Sequence, residues 1–242
     1  MKRILGTSKK ALFSRFFGFL RRSTSCIHAV VRAVLPCTHK KITFFRGAQL
    51  PLLLAVSLLN GCAQAPKVDA SIKSKLWLEH QITVSAIQSW DIKGRVAVKN
   101  DKESGTVTLL WNQFLSNYEL RFIAPLGQGT YILSGTPSGV VMKLPKDKVM
   151  VAETAEQILR DGLGWDIHLD GLRYWVRGLP EPDIQYSELM LDNKGRLANM
   201  DQSGFNISVS RYSEQDGVSL PSKLTIKSDK IQLKVIIQNW KF

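Results

Sequence analysis

Apolar and polar residues alternate in a series of short segments from residue 90 to the end of the chain. In the first, Trp90, Ile92, Val96 and Val98 share one face, which predicts a strand with one buried side. The pattern recurs in residues 105–112, 117–123, 130–135, 139–145, 189–191, 205–212, 223–228 and 230–240. Asp192–Gly195 predict a turn from 189–191 to a further strand at Leu197. Short gaps predict antiparallel neighbours, and about 10 or 11 strands are too many for a flat sheet. We therefore expect a mainly β (α+β) fold, an incompletely closed antiparallel β-barrel.

Two stretches have helical rather than alternating spacing. Residues 71–89 predict one amphipathic helix with Asp69 as its cap, and residues 153–182 predict a helical interlude between the strands. The interlude has an apolar stripe of Leu172, Trp175, Val176 and Leu179. Its predicted helix stops are Gly162, Gly164, Gly178 and Pro180.

The positive charge of the chain is concentrated before residue 62. Residues 1–61 hold 11 Lys or Arg and no Asp or Glu, which leaves 22 basic residues against 20 acidic ones in the rest. Basic residues confined to an export segment do not make a phosphate-binding face on the domain. We therefore expect no nucleic acid among the partners.

A secretory signal ending in a cysteine explains this basic region. Leu50 to Leu59 is apolar, too short for a transmembrane helix, and runs into "LNGC", which resembles the lipobox of bacterial lipoproteins. Cys26 and Cys37 lie upstream, so Cys62 is the predicted lipidation site, with an ordinary signal beside a chance cysteine as the alternative. We expect a signal region at 1–61 (1–33 from a start assigned too early), a lipidated linker at 62–75 and one domain at 76–242.

Residues for chemistry are sparse after Cys62. His80 and His168 have no clustered ligands, so they are predicted to be solvated or at the edge of the core. Asp166 and Asp170 could in principle serve a glycosidase, but surface solvation is the prediction for them. We expect no catalytic residue, metal or cofactor, and no enzyme activity. A lipid-anchored cell-envelope hydrolase and a structural outer-membrane lipoprotein without cargo remain the alternatives.

Large apolar side chains are the more informative feature. A curved sheet with such side chains on its concave face can form a solid core or leave a hollow suited to acyl chains, and both remain open at this stage. Strand parity and the helical stripe give the candidates for an acyl-chain cavity, namely Trp90, Val96, Val98, Leu109, Trp111, Leu120, Phe122, Leu133 and Trp175. A one-residue slip in any strand would exchange the two faces.

An ordered set of motifs resembles the LolB family of outer-membrane lipoproteins, over about Leu76 to Trp240. The motifs are the lipobox, "WDIKGRVAV", "APLGQGTYIL", "LRDGLGWDIHLDGLRYWVRGLP", "LPSKLTIKS" and "QLKVIIQNW". "FNISV" at Phe205–Val209 departs from the pattern of relatives. The resemblance implies a half-open barrel with a helical lid and an apolar cavity. It also implies a monomer that takes acylated lipoproteins from a LolA-like periplasmic carrier and inserts them into the outer membrane without nucleotide.

The loop "APLGQG" has a specific role in the resemblance, because the family loop projects an apolar side chain that aids delivery. The matching residue is Leu126, flanked by Pro125 and Gly127. A leucine held in water forgoes roughly 1.5–3 kcal/mol of burial, so it is available to the membrane or to the acyl chains of the cargo. The alternative is a Leu126 that folds back onto the core.

Overall fold

The structure is a computed structural model that describes residues 69–242. The predicted signal region, the predicted lipidation site Cys62 and the linker up to residue 68 lie outside the described residues. Helix α1 (Ala70–Ser85) begins at the predicted cap, where the Asp69 carboxylate accepts a hydrogen bond from the Ser71 amide at 2.9 Å. It ends earlier than predicted, because Ser89 already belongs to the first strand.

Eleven strands form one antiparallel sheet. They are β1 (Ser89–Asn100), β2 (Ser104–Phe114), β3 (Asn117–Ile123), β4 (Thr130–Thr136), β5 (Gly139–Leu144), β6 (Lys148–Ala152), β7 (Tyr186–Leu191), β8 (Leu197–Gln202), β9 (Phe205–Gln215), β10 (Val218–Lys227) and β11 (Ile231–Lys241). The spatial order is β6-β5-β4-β3-β2-β1-β11-β10-β9-β8-β7. The predicted fold class is therefore confirmed: the protein is mainly β, and its sheet is not closed, because β6 and β7 are its two edges.

Strand β6 is the one that sequence patterning did not predict. Val149 and Val151 point outward and are exposed, while Met150 is partly buried. Within residues 69–242 the strand pairs only with β5, from Val140 opposite Ala152 to Leu144 opposite Lys148. An edge strand with valines on its solvent side does not have the usual pattern of a buried apolar face.

The interlude forms two short helices, α2 (Ala155–Leu163) and α3 (Leu169–Trp175). Thr154 caps α2, accepting from the Gln157 amide at 3.2 Å, and Gly164 ends it in the left-handed region at φ 70°. Gly162 is a predicted stop, but it lies inside α2, where a Cβ would come within 3.1 Å of the Met142 sulfur and 3.3 Å of the Met150 sulfur. No helix within residues 69–242 is long and apolar enough to cross a membrane.

Residues 155–175, hereafter the lid, pack on the concave face of the sheet. The Trp165 ring contacts Phe122 of β3 edge to face at 5.1 Å between centroids, and the Trp175 ring contacts Phe205 of β9 at 5.3 Å. Strands β3 and β9 are five places apart in the sheet order. The sheet therefore curves around the lid, and the buried side chains of both form one continuous core.

A bulge contributes to this curvature at the centre of the sheet. The pairing of β1 with β11 shifts register between Lys93 and Gly94. A side chain at Gly94 would collide with the backbone carbonyl of Ile236, so only glycine allows the two strands to approach this closely.

Candidate functional site: an apolar chamber under a lid, and an exposed leucine

The interior contains a small apolar chamber between the lid and the middle of the sheet. Its volume is about 30 Å³, which is about the volume of one molecule in liquid water. The sheet contributes Val96, Leu109, Trp111, Leu120, Phe122, Leu233 and Val235, and the lid side contributes Leu159, Trp165, Ile167, Leu169, Leu172 and Val176. Among the residues that the structure describes, no polar side chain lines it. Five of the nine residues predicted from sequence for an acyl-chain cavity lie on this wall.

The other four predicted residues are buried away from the chamber wall. The Trp90 ring contacts the Trp111 ring at a tilt, 4.9 Å between centroids, and the Trp240 ring edge to face at 5.5 Å. Val98 and Leu133 face the core from β1 and β4, and Trp175 lies at the end of the lid. Strand parity therefore identifies the inward face correctly, but it does not indicate which inward residues border the free space.

A histidine between two carboxylates attaches the lid to the segment that follows it. His168 Nε2 lies 2.7 Å from a carboxylate oxygen of Glu181, and its Nδ1 lies 3.6 Å from Glu156. Glu156 also accepts the Leu169 amide at 2.9 Å, which joins the first turns of α2 and α3. Glu156 and Glu181, acting against partial burial, raise the pKa of His168 to about 9. The imidazole is therefore protonated at neutral pH and bridges both carboxylates.

Gln202 completes this attachment, which we call the lid clasp (Glu156, His168, Trp175, Glu181 and Gln202). Its side-chain oxygen accepts from Trp175 Nε1 and from the Glu181 amide, both at 2.8 Å. Its amide nitrogen donates to the carbonyls of Glu181 and Ile184 at 3.0 and 2.9 Å. Glu156, Glu181 and Gln202 were not among the residues predicted from sequence. The members are up to 46 positions apart in the numbering, and no local motif links them.

The side chain of Leu126 lies in solvent, 85% exposed, at the tip of the loop between β3 and β4. Leu126 has φ 56° and ψ 30°, the left-handed region that a leucine seldom adopts. The loop is held by hydrogen bonds from the Ala124 amide to the Gly129 carbonyl at 3.0 Å and from the Gln128 amide to the Pro125 carbonyl at 3.3 Å. This backbone directs the leucine away from the core.

The remaining candidate chemical groups occupy structural positions. His80 packs between the rings of Trp77 and Tyr212, and burial, followed by the charge of Arg196, lowers its pKa. Asp166 pairs with Lys230 at 2.8 Å, and Asp170 is exposed. Within residues 69–242, no group of three or more His, Cys, Asp or Glu side chains is placed to hold a metal.

Comparison with known proteins places this arrangement in a family. The family model described as outer membrane lipoprotein LolB matches residues 88–240. An outer-membrane lipoprotein LolB from Nitrosococcus oceani is 34% identical over 190 residues, covering 78% of this chain and 94% of the relative.

Two further proteins are similar. An outer-membrane lipoprotein LolB from Pseudomonas putida is 34% identical over 188 residues, covering 76% of this chain and 91% of the relative. The solved structure of a LolA superfamily protein from Nitrosomonas europaea has a TM-score of 0.46 at 8% identity, covering 73% of this chain and 94% of that chain. On the family match and the two relatives, this chain belongs to the outer membrane lipoprotein LolB family.

Proposed function

We propose that the protein is a lipid-anchored sorting factor of the outer membrane. It accepts acylated lipoproteins from a LolA-like periplasmic carrier, holds their acyl chains under the lid, and inserts them into the outer membrane. The anchor is the acylated Cys62, and the protein acts as a monomer without nucleotide, cofactor or a covalent step. Membership of the LolB family supports the general role.

The observation that carries the proposal is the chamber wall, which is apolar on every side and divided between sheet and lid. A chamber of about 30 Å³ is far too small for an acyl chain. Cargo therefore enters only when the lid moves away from the sheet, which exposes the aromatic and aliphatic wall. The acyl chains replace the lid contacts that are lost, so the apolar surface stays covered throughout.

The direction of cargo transfer is set by the difference in affinity of successive sites for the acyl chains, rather than by an energy source. A ligand shifts an equilibrium only by as much as its affinities for the two states differ. A chamber that closes to a water-sized space favours release, because lid packing competes with the acyl chains for the same wall. The bilayer, where each buried CH₂ contributes about 0.8 kcal/mol, is the final acceptor.

Leu126 serves the delivery step in this proposal. It is held in water outside the chamber, where it can enter the lipid surface or the acyl region of the cargo without any change of fold. Leu126→Glu should leave folding and cargo acceptance largely intact while insertion is lost. Leu126→Met is the matched control, because it keeps an apolar side chain at the same place.

The test mixes the protein with cargo-loaded carrier and vesicles without ATP and follows the cargo from carrier to protein to lipid. In a second form, Asp166→Cys and Lys230→Cys are joined by a short, reducible bismaleimide, since the native side chains of these residues meet at 2.8 Å across lid and sheet. Joining them should block acceptance, and reduction should restore it. The two single cysteine variants, treated alike, are the controls.

Three results would contradict the proposal. Full transfer by the cross-linked form would show that the lid does not open. Absence of any transfer from the carrier would favour a structural lipoprotein. Cleavage of the cargo or of lipid during the assay would favour the hydrolase.

A further inference from the structure

A second recess opens on the protein surface, separate from the chamber. It has a volume of about 260 Å³ and lies where α1 ends, β1 begins and α3 ends. Polar side chains surround it, including Gln88, Gln113 and Ser116, and two arginines, Arg173 and Arg177, line it from the lid side. No Asp or Glu is among the residues that line it.

The two arginines lack the carboxylate partners that a buried cation normally has. Both guanidinium groups lie near the ring of Tyr174, with their Cζ atoms at 5.0 and 5.1 Å from its centroid. Across residues 69–242, neither has a carboxylate oxygen within 4.0 Å. Arg196, which is also largely buried, pairs with Asp192 at 2.7 Å. Arg173 and Arg177 are therefore two neighbouring guanidinium groups at the recess without a carboxylate partner among residues 69–242.

Arg177 is only 7% exposed, and its bonds leave part of its fork free. Its Nε donates to the Arg173 carbonyl at 3.1 Å, and its Nη1 donates to the Ile87 carbonyl at 2.9 Å. Its Nη2 donates to no residue in the described part of the chain, and it is not a fully enclosed atom. Burial lowers the pKa of Arg177 to about 10, with the charge of Arg173 acting in the same direction. An anion in the recess would relieve both effects.

The floor of the recess adds an apolar element. Trp90 lines it, and its ring contacts the rings of Trp111, which belongs to the chamber wall, and of Trp240. The recess therefore has paired cations and amide groups beside an aromatic surface. A phosphate group has several strong acceptor oxygens and can accept hydrogen bonds from both guanidinium groups, which a monatomic anion cannot do as well. The glycerol portion of a lipid can pack against the apolar indole ring of Trp90.

We propose that this recess binds a phosphate group, with the headgroup of a membrane phospholipid as its source. Arg173 and Arg177 hold the phosphate oxygens, Gln88 and Ser116 lie at the rim, and the glycerol portion rests on Trp90. The same chemistry would accept free phosphate. The inference goes beyond lipoprotein transfer and does not depend on it, because the diacylglyceryl group of a lipoprotein carries no phosphate.

The test uses the full chain carrying Cys62→Ala, so that no acyl anchor competes, in isothermal titration calorimetry. The probes are dihexanoylphosphatidylglycerol below its micelle concentration, dihexanoylglycerol and inorganic phosphate. We expect saturable binding of the phospholipid and much weaker binding of the uncharged diacylglycerol. Arg173→Gln should weaken phospholipid binding roughly tenfold, the effect of one charge-assisted hydrogen bond.

Arg173 is the variant of choice, because it is partly exposed and its only described side-chain bond is to the neighbouring Tyr174 hydroxyl. Arg160→Gln removes the same charge from α2, where Arg160 lies 3.9 Å from Asp166, and should not change binding. Inorganic phosphate that binds as tightly as the phospholipid would support the phosphate site but identify free phosphate as its ligand. The proposal fails if neither phosphate probe saturates, or if Arg173→Gln binds as Arg160→Gln does.

Discussion

Leu126 and Leu133 lie seven residues apart in the chain, yet their surroundings are opposite. Leu126 is 85% exposed in the loop after β3, whereas Leu133 of β4 is completely buried. The difference follows from backbone rather than from side-chain chemistry. β4 alternates its side chains between two faces, while the left-handed Leu126 residue, between a proline and a glycine, directs its side chain out of the sheet. Apolar residues thus stabilise the fold in the interior and remain available for contact in the loop.

The variant expected to change stability most, and so to test this contrast most strongly, is Trp175→Ala. The Trp175 side chain is fully buried, packs on Phe205 and donates to Gln202 at 2.8 Å. Its removal should lower the free energy of unfolding by about 3–5 kcal/mol. Guanidinium unfolding followed by circular dichroism measures the loss. Leu126→Ala, which also truncates an apolar side chain, is the matched control and should change stability by less than about 0.5 kcal/mol. Equal losses of unfolding free energy in the two variants would show that Leu126 contributes to stability as an interior residue does.

A smaller effect should follow from titration of the lid clasp. The pKa of His168 is raised from its ordinary value of 6.5 to about 9. The protonation of His168 therefore contributes its full stabilisation below about pH 6.5, and this contribution is lost as the pH rises through about 9. His168→Gln should flatten that part of the stability profile, whereas Leu126→Ala should leave it unchanged. Thermal unfolding midpoints across this pH range provide the measurement. A profile that His168→Gln does not alter would show that the clasp plays no part in it.

Leu126→Asn should have the smallest effect on stability. Asparagine adopts the left-handed conformation more readily than leucine, so the free energy of unfolding should be unchanged or rise by less than about 1 kcal/mol. Insertion of cargo into vesicles should nevertheless fall, because asparagine offers no apolar surface to bury in the lipid or in the acyl chains of the cargo. The two readouts separate backbone conformation from apolar contact. Clear destabilisation would mean that the leucine contributes to packing.

Most of the fold could be predicted, because alternation is a local property of the chain. The inward faces of β1 to β5 and the buried stripe of α3 follow directly from which residues are apolar. Strand β6 could not be predicted in this way, since Val149 and Val151 point to solvent. Its existence depends on pairing with β5, which no local pattern shows.

The candidate site was less accessible to sequence reasoning, for three physical reasons. The chamber volume is the small space that remains after large side chains pack, so residue type does not give it. The lid clasp joins Glu156, His168 and Glu181 through tertiary contacts. Arg173 and Arg177, four positions apart, have the spacing of an ordinary solvated helix face. Only the fold shows that they share a recess without a carboxylate.

The gap between β6 and β7 has a mechanical consequence for the whole sheet. In a closed cylinder, enlargement would require breaking interstrand hydrogen bonds somewhere around the ring. Here the two margins are unjoined, so the curvature can relax while each of the ten strand pairings stays intact. Widening of the sheet would therefore be opposed by the contacts between lid and sheet rather than by the loss of a strand pairing.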